Sequence, residues 1–596
     1  MRVAWVSGVL LPAVFPLSVA VLPLLGAFPV DSYPYVGMLA SLSAGIALCA
    51  IGTGMFLRKD YFLSLPVIFF VAAFSVFVCA SVLASEYTGA DSWWGAGFEF
   101  GTAGSFLLFA VAVFCGSLIP RSLDVWFPYG FIASACLAAA ASLLVFAFGS
   151  LVERGETIAG TWQQMSFLFG AALLAALLLF DDGKVRAFAS VSICFLAAGF
   201  AVFFLPTASV AFLVSAAGSA AYLYFRHRTL AVRTGIAAAA VLLLMLFGFG
   251  GAMSESSPDA RPSILATSLI IAPLYQESLL HALVGSGPGT LPVVWERHRI
   301  LQFNASPFWN ARVDSTHSTA TTVAVLLGVL GAGLALLWPV AFVFQSGEFP
   351  GAALFALGAF LFVSQFLYPT GLVALLVLGV VLGMCARGDP FKIPVLLRWA
   401  LACLCVAASL MLAWISVHQM LAAHLHSKGL LMTREGDISA VSVMEKAERV
   451  WGVQQYSIDA SRAYTSKAQQ LLPTIREDDE VRRQIQLDLK AAASFANHAV
   501  ESNPKDFSAW MYRAELYIAF IPFGFPDAES LAYESLQQAA ALAPLRPDVP
   551  LLKARGALQA GRPDVARQFA EDALALKPDY EEAKRFIEKL PVSNVP

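Results

Sequence analysis

The sequence predicts an all-α polytopic membrane protein, with about 12–13 transmembrane helices and a C-terminal α-solenoid domain. Two observations predict this fold class. Of the 596 residues, 58% are hydrophobic and 13% are charged, and soluble domains carry about twice that charged fraction. After about residue 425, charged residues become frequent and repeated helical patterns replace the long apolar runs.

The predicted spans are apolar runs of about 18 to 25 residues, long enough to cross roughly 30 Å of hydrocarbon. They cover approximately residues 9–29, 35–57, 61–84, 102–120, 127–150, 163–180, 187–205, 208–225, 234–251, 319–344, 351–367, 369–385 and 395–417. Only Tyr368-Pro369-Thr370 separates the runs at 351–367 and 369–385. This pair is therefore predicted either as two spans or as a re-entrant element. The N-terminal run lacks a small-x-small cleavage site, and we interpret it as the first span.

The positions of Lys and Arg predict the orientation, because these residues are enriched in cytoplasmic loops. If the spans alternate, one side of the membrane receives most of the cations between the spans. These are Arg2, Arg58, Lys59, Arg121, Lys184, Arg186, Arg226, Arg228, Arg233, Arg387 and Lys392. The other side receives the acidic, Trp-rich loop 85–101 and the long segment 252–318. The N-terminus is thus predicted to be cytoplasmic, and everything after about residue 418 extracytoplasmic.

The sequence divides into four regions. They are N-terminal spans at 1–250, an extracytoplasmic loop at 251–318, C-terminal spans at 319–417, and an extracytoplasmic domain at 425–596. The net charge of −3 gives no indication of nucleic-acid binding. All eight cysteines fall in apolar stretches, which argues against a disulfide framework or a zinc site in a soluble region. We predict no metal and no cofactor.

The C-terminal region contains an internal repeat. Residues 496–504 and 570–578 share the pattern Ala-x2-Ala-[Val/Leu]-x2-[Asn/Lys]-Pro, and residues 539–544 repeat part of it. Pro544 and Pro578 are 34 residues apart, the tetratricopeptide period. The region therefore resembles a short tetratricopeptide array of two to three helix pairs. Such arrays usually bind proteins through a concave groove, and a spacer role is the alternative.

Two details of this array are also predicted. The interval from Pro504 to Pro544 is 40 residues, which is the period plus a six-residue insert that we assign to 521–526. Residues 436–475 are the candidate for a degenerate first helix pair.

A polar segment with a histidine precedes the predicted span at 319–344. It reads Phe308-Trp-Asn-Ala-Arg312-Val-Asp-Ser-Thr-His317-Ser318, and nine residues later comes Gly328-Val-Leu-Gly331. An imidazole at a membrane surface is a costly placement that is typical of a functional site. The alternative is a histidine that only caps the helix. Upstream, residues 285–290 (Gly-Ser-Gly-Pro-Gly-Thr) form a turn that is either plain or able to approach phosphate oxygens.

The glycine turn, the His-Ser-x9-Gly-x2-Gly pattern and the repeats together resemble the O-antigen ligase and polymerase superfamily, over roughly residues 180–400. Its members are multi-span bacterial membrane proteins. The resemblance implies transfer of a glycan from an undecaprenyl-diphosphate carrier to a lipid, glycan or protein acceptor, on the outer face of the cytoplasmic membrane. Ligase and polymerase share this chemistry, and the residues do not separate them. The alternatives are a non-catalytic scaffold that recruits a protein partner through its tail and, less favoured, a transporter.

The resemblance implies that His317 is the base that deprotonates or orients the acceptor hydroxyl. We predict that Arg312 contacts the diphosphate, because a guanidinium binds phosphate bidentately and stays charged; the alternative is an interfacial anchor. Further predicted substrate contacts are Arg297, Arg299, Asn310, Ser318, Gly285, Gly287 and Gly289. For Arg297 and Arg299, a solvated loop surface is the alternative.

The sequence departs from the family pattern at one position. Many members carry a Thr-x-Ser-Arg motif in a span before the outer loop, whereas this chain reads Thr207-Ala208-Ser209-Val210. With valine at position 210, either the cation for the diphosphate comes from elsewhere or the protein has lost one contact to the diphosphate. The first outer loop offers only Asp31 where metal-dependent lipid-linked glycosyltransferases place an acidic pair, so a metal-independent reaction is predicted.

Overall fold

The computed structural model describes most of the chain outside the first 34 residues. The described residues are 35–57, 62–85, 89–95, 98–119, 126–147, 156–157, 160–179, 186–202, 206–224, 261–337, 351–386, 390–472 and 479–590, with Val19 and single positions between 228 and 241. The predicted span at 9–29 lies outside this set, as does most of the span at 234–251. Most of the cations that predict the orientation also lie outside it.

The described residues are almost entirely helical, which confirms the all-α prediction. The helices of the first part are α1 (Tyr35–Leu57), α2 (Leu65–Ala84), α3 (Ala90–Trp93), α4 (Ala103–Ser117), α5 (Trp126–Ala147), α6 (Trp162–Leu179), α7 (Arg186–Val202) and α8 (Pro206–Tyr224). The strands are short: β1 (Phe62–Ser64), β2 (Glu156–Thr157), β3 (Gly160–Thr161) and β4 (Pro390–Lys392). β1 pairs with β4 and β2 with β3, both antiparallel.

The middle part of the chain contains the loop and the later apolar helices. These are α9 (Ile264–Glu277), α10 (Leu279–Val284), α11 (Leu291–Arg297), α12 (Thr319–Ala332), α13 (Ala352–Leu367), α14 (Gly371–Cys385) and α15 (Val395–Arg434). Within the described residues, five helices are long and apolar enough to cross a membrane, judged by length and composition: α1, α2, α5, α12 and α15. The span at α12 runs from Thr319 to Leu336, through the turn that follows the helix, whereas α4, α6–α9, α13 and α14 contain shorter apolar stretches of 10–17 residues.

The predicted spans at 351–367 and 369–385 are two separate helices. α13 ends before Tyr368, and α14 begins at Gly371, whose φ of +79° lies in the left-handed region that glycine adopts without strain. α14 packs on α4, and α13 packs on α6 and α8. The break between them lies beside the start of α12, because Thr319 N donates to Tyr368 O at 3.2 Å.

The loops gather at two ends of the helical bundle. At one end β1 pairs with β4, and Ser64 Oγ donates to Ala386 O at 3.1 Å. At the other end the loop 85–101 meets the loop 261–318, where Gly289 N donates to Gly101 O at 2.9 Å. This grouping agrees with the alternation of the predicted spans.

The third part is a tail of helix pairs, residues 440–590, which we call the tail domain. Its helices are α16 (Ala440–Val450), α17 (Gln454–Leu471), α18 (Asp479–Ser502), α19 (Phe507–Phe520), α20 (Ala528–Leu542), α21 (Asp548–Gln559), α22 (Pro563–Leu576) and α23 (Glu581–Lys589). The pairs are α17 with α18, α19 with α20 and α21 with α22, and α23 packs on α22. These three pairs agree with the two to three helix pairs that the sequence predicts.

Two predicted details of the tail domain can be placed. The six residues 521–526 lie between α19 and α20, as a 3₁₀ turn and a left-handed Gly524. α16 and α17, which cover the predicted pair 436–475, pack on each other, while α17 packs more extensively on α18 and α16 on the end of α15. α15 has 40 residues and at 1.5 Å per residue is about 60 Å long, so one continuous helix joins the bundle to the tail domain.

Candidate functional site

His317 lies in the loop directly before α12, at the end of the bundle that faces the tail domain. α12 begins at Thr319, with Ser318 as its N-cap. The Ser318 side chain accepts from Thr321 N, and Ser318 N donates to Thr321 Oγ1 at 3.0 Å. Ser318 is buried, so its hydroxyl serves the helix end, and the predicted substrate contact is not supported for it.

The backbone of His317 is held from two directions. Its N–H donates to Thr267 Oγ1 on α9 at 3.1 Å. Its carbonyl accepts from Arg261 Nη1 at 3.3 Å, and the same guanidinium nitrogen donates to Leu367 O at 3.3 Å. The Arg261 guanidinium also stacks 4.5 Å above the ring of Tyr368. Arg261 therefore joins the loop to the break between α13 and α14.

The His317 imidazole is held in its neutral form near pH 7. Burial lowers the pKa of His317, the charge of Arg261 lowers it further, and a hydrogen bond with the Pro262 backbone opposes both effects. Nδ1 of this ring meets no hydrogen-bond partner among the described residues. A neutral imidazole next to a guanidinium is an arrangement suited to accepting a proton beside an anion.

Arg261 is the residue that the sequence reasoning missed. No motif marks it, and it lies in the loop as the only Lys or Arg between Arg233 and Arg297. Its position, far along the sequence from any other Lys or Arg, is the one signal that could have singled it out.

Arg312 lies among carboxylates. Its side chain is 63% exposed, and its Nε donates to Asp314 Oδ1 at 2.8 Å. Burial by the surrounding protein lowers the pKa of Arg312, but the charges of Asp314, Asp506 and Glu99 outweigh this effect and raise it. Burial raises the pKa of Asp91 to about 6, although the charge of Arg312 lowers it.

These four carboxylates, Asp91, Glu99, Asp314 and Asp506, form what we call the acidic cluster. They come from the loop 85–101, the His317 loop and the tail domain. One guanidinium among four carboxylates leaves little positive potential for a diphosphate. Arg261 is the cation that bonds to His317, through the backbone carbonyl, whereas Arg312 bonds to Asp314.

Arg299 is enclosed within the loop. Its side chain has 0% exposure, and its guanidinium donates to Glu296 at 3.2 Å, to Asn304 Oδ1 at 2.8 Å and to Trp309 O. A side chain without exposure cannot contact a ligand in this conformation, so the predicted substrate contact is not supported for Arg299. Arg297 is half-buried at the end of α11, and Asn310 is exposed. Their predicted contacts remain predictions.

The glycine turn at 285–289 packs against the kink in α12 and hydrogen-bonds to its backbone. Gly328 has φ 63° and ψ −171°, which interrupts α12 and frees the carbonyls of Val325 and Leu326 from their helical partners. Ser286 N donates to Val325 O and Gly287 N to Leu326 O, both at 2.9 Å.

The predicted phosphate contacts of this turn are therefore not supported. Gly289 N donates to Gly101 O, and Gly285 N donates to His281 O. With Ser286 and Gly287, every N–H that such a cradle would use is already bonded. A Cβ on Gly285 would lie 2.4 Å from Leu326 O, so the glycine permits the close approach of the two backbones. A Cβ on Gly328 would lie 2.5 Å from the backbone of Leu283, so this glycine also permits the close approach.

The loop between α11 and Trp309 is bound by the tail domain. Asn304 Nδ2 donates to Leu545 O at 2.8 Å and to Leu576 O at 3.1 Å, and Lys577 Nζ donates to Asn304 O at 2.7 Å. Arg546 pairs with Glu296 at 3.4 Å. This contact joins residues more than two hundred positions apart, and no sequence signal predicted it.

Trp309 completes this contact. Its ring lies 5.0 Å from the ring of Tyr580, measured between centroids. The Arg546 guanidinium lies 5.7 Å and the Lys577 ammonium 5.6 Å from the centre of the same ring. Two cations against one indole are a favourable cation–π arrangement.

No family model matches the chain, and none of the curated proteins matches it. Among solved structures, the crystal structure of the APC/C hetero-tetramer Cut9-Hcn1 is 12% identical to this chain, with a TM-score of 0.23. The match covers 92% of this chain and 94% of that chain. At this identity and TM-score, the likeness assigns neither a family nor a function to the protein.

Proposed function

We propose that this protein is a membrane glycosyltransferase of the O-antigen ligase type, which transfers a glycan from undecaprenyl diphosphate to an acceptor on the outer face of the bacterial cytoplasmic membrane. The observation that carries the proposal is the neutral imidazole of His317 beside the guanidinium of Arg261. A base for the acceptor hydroxyl and a cation for the leaving diphosphate are the two groups that this reaction needs.

The surface of α15 supports placement in a membrane. Large apolar side chains stand exposed along one side of its first two thirds: Leu396, Leu397, Leu404, Leu410, Met411, Trp414, Val417 and Leu421. A soluble protein rarely exposes so long an apolar surface, whereas hydrocarbon accepts it without cost. From His424 onward α15 is more polar, as expected where a helix leaves the bilayer for the tail domain.

In the proposed reaction, the acceptor oxygen attacks the anomeric carbon of the carrier-linked glycan. The His317 imidazole takes the proton of that hydroxyl as the new glycosidic bond forms. The bond from the anomeric carbon to the diphosphate oxygen breaks, and undecaprenyl diphosphate leaves as an anion. Arg261 offsets the charge that develops on this leaving group.

Arg261 also supplies a cation that the valine at position 210 cannot supply. Val210 is an apolar side chain on α8 and is partly exposed. Arg261, in contrast, carries a guanidinium and is bonded to the His317 carbonyl. Arg312 is the weaker candidate for the diphosphate because the acidic cluster surrounds it.

Two other functions remain candidates. A polysaccharide polymerase of the same superfamily would use the same two residues and differ only in its acceptor. A non-catalytic scaffold is favoured by Val210 and by the carboxylates around Arg312, with the tail domain recruiting a protein partner.

An in vitro transfer assay tests the proposal. Full-length protein would be mixed with an undecaprenyl-diphosphate oligosaccharide and lipid, glycan or protein acceptors, with and without chelator. The variants are His317→Ala and Arg261→Gln, with His424→Ala, an exposed histidine on α15, as the matched control. Chelator-resistant transfer that only the first two variants lose supports the enzyme, and the productive acceptor separates ligase from polymerase. If the donor is not consumed with any acceptor, the result rejects the enzyme and favours the scaffold.

A further inference from the structure

The tail domain contacts the His317 loop through one repeated structural position. The turns that join its helix pairs lie at residues 503–506, 543–547 and 577–580, on one edge of the array. Each turn meets the loop 296–314. The first places Asp506 near Arg312, the second supplies Leu545 and Arg546, and the third supplies Lys577 and Tyr580.

The loop depends on these turns for its hydrogen bonds. Asn304 is buried, and both donors of its amide go to carbonyls of the tail domain. Its side-chain oxygen accepts from Arg299, so the amide links the tail domain to the ion pair of Arg299 with Glu296. The loop has little regular structure of its own, apart from the 3₁₀ turn Leu301–Ala305. Its conformation is therefore set by the partner surface and not by local propensity.

We propose that this edge of the tail domain positions the loop that leads directly into His317, with Asn304 and Lys577 as positioning residues. The inference rests on the proposed glycan transfer. Trp309, held by the tail domain, is eight residues before His317 along the chain. Val313, between them in the chain, is buried and anchors this stretch in the protein interior. Displacement of the loop shifts both Arg312 and the approach to His317, and small displacements of reacting groups reduce turnover strongly.

One consequence concerns partners. Because the inter-pair turns are occupied by the chain's own loop, a protein that binds the tail domain uses another of its surfaces. A partner that alters the array would then act on transfer through the loop.

Asn304→Ala and Lys577→Ala test the inference in full-length protein. Gln302→Ala is the matched control, because Gln302 is an exposed amide of the same loop. Lys577→Arg is the conservative variant, because it retains a cation for the Asn304 carbonyl and for Trp309. Docking is measured by limited proteolysis of the loop, and transfer by kcat and KM for the undecaprenyl-diphosphate oligosaccharide.

We expect Asn304→Ala and Lys577→Ala to open the loop to protease and to lower kcat at least about tenfold, with much smaller effects in Gln302→Ala and Lys577→Arg. A loop that is cleaved in the first two variants while kcat and KM stay at wild-type values overturns the positioning role and leaves the transferase proposal intact. If the wild-type protein shows no transfer, both the transferase proposal and the positioning role are overturned, whatever the result of the proteolysis. Equal losses of transfer in Lys577→Ala and Lys577→Arg, with intact docking in both, also contradict the inference.

Discussion

Arg261 donates a hydrogen bond to the backbone carbonyl of His317 at 3.3 Å and lowers the pKa of the His317 imidazole. The same guanidinium bonds to Leu367 O and covers the ring of Tyr368. Arg261 therefore helps to hold the histidine in place and adds to the effect of burial in favouring the neutral imidazole.

The pH dependence of transfer reports the pKa of His317. A base must be neutral to accept a proton, so activity falls as the pH drops through the pKa of its imidazole. Burial and Arg261 lower this pKa from its ordinary value of 6.5. We therefore expect kcat/KM of the wild-type protein to fall with decreasing pH only below pH 6.5. Removing the cation in Arg261→Gln raises the pKa, so the limb of the residual activity moves to higher pH. A limb at the same pH in both proteins contradicts the assignment of His317 as the base.

Substitution of Gly285 tests the packing of the glycine turn against α12. Gly285 has φ +80°, and a Cβ there would lie 2.4 Å from the Leu326 backbone. We expect Gly285→Ala to destabilise the folded protein by about 2 kcal/mol or more, seen as a lower unfolding temperature. Gly218→Ala on α8 is the control, because a Cβ at Gly218 has no neighbour within 4 Å. Equal unfolding temperatures for the two variants contradict the close approach.

Much of the architecture follows from the sequence because its signals are local. Apolar runs predict helices such as α1 and α2, and the 34-residue spacing of Pro544 and Pro578 predicts the repeated pairs. The pairing of the loops at the two ends follows from the alternation of spans.

The chemical roles were harder to predict because they depend on contacts between distant segments. The backbone N–H groups of the glycine turn are consumed by carbonyls that only the kink at Gly328 releases. Arg299 is enclosed by a loop that folds against Leu545 and Leu576 of the tail domain. Arg261 meets His317 across 56 residues, and no spacing rule links the two.

The buried ion pair of Arg299 with Glu296 supports a third prediction. Burial raises the pKa of the Glu296 carboxyl, although Arg546 and Arg299 lower it. We expect Arg299→Ala to destabilise the protein by about 3 kcal/mol, because it leaves a buried carboxylate with one cation fewer. Arg449→Ala removes an exposed cation from a 3.8 Å surface pair and is expected to cost less than about 1 kcal/mol. Thermal unfolding of the two variants measures this difference, and similar values would contradict a structural role for Arg299.

A comparison of Arg261→Gln with Arg312→Gln decides which cation serves the diphosphate. The sequence pattern favours Arg312, whereas the structure surrounds Arg312 with the acidic cluster and places Arg261 at His317. We expect Arg261→Gln to lower kcat/KM for the lipid-linked donor about a hundredfold, the order of loss for a group that stabilises developing charge. Arg312→Gln is expected to lower it less than about tenfold, because its charge is already offset by neighbouring carboxylates. Donor titrations at fixed acceptor measure both values, and the reverse order would return the diphosphate to Arg312 and leave Arg261 with a purely structural task.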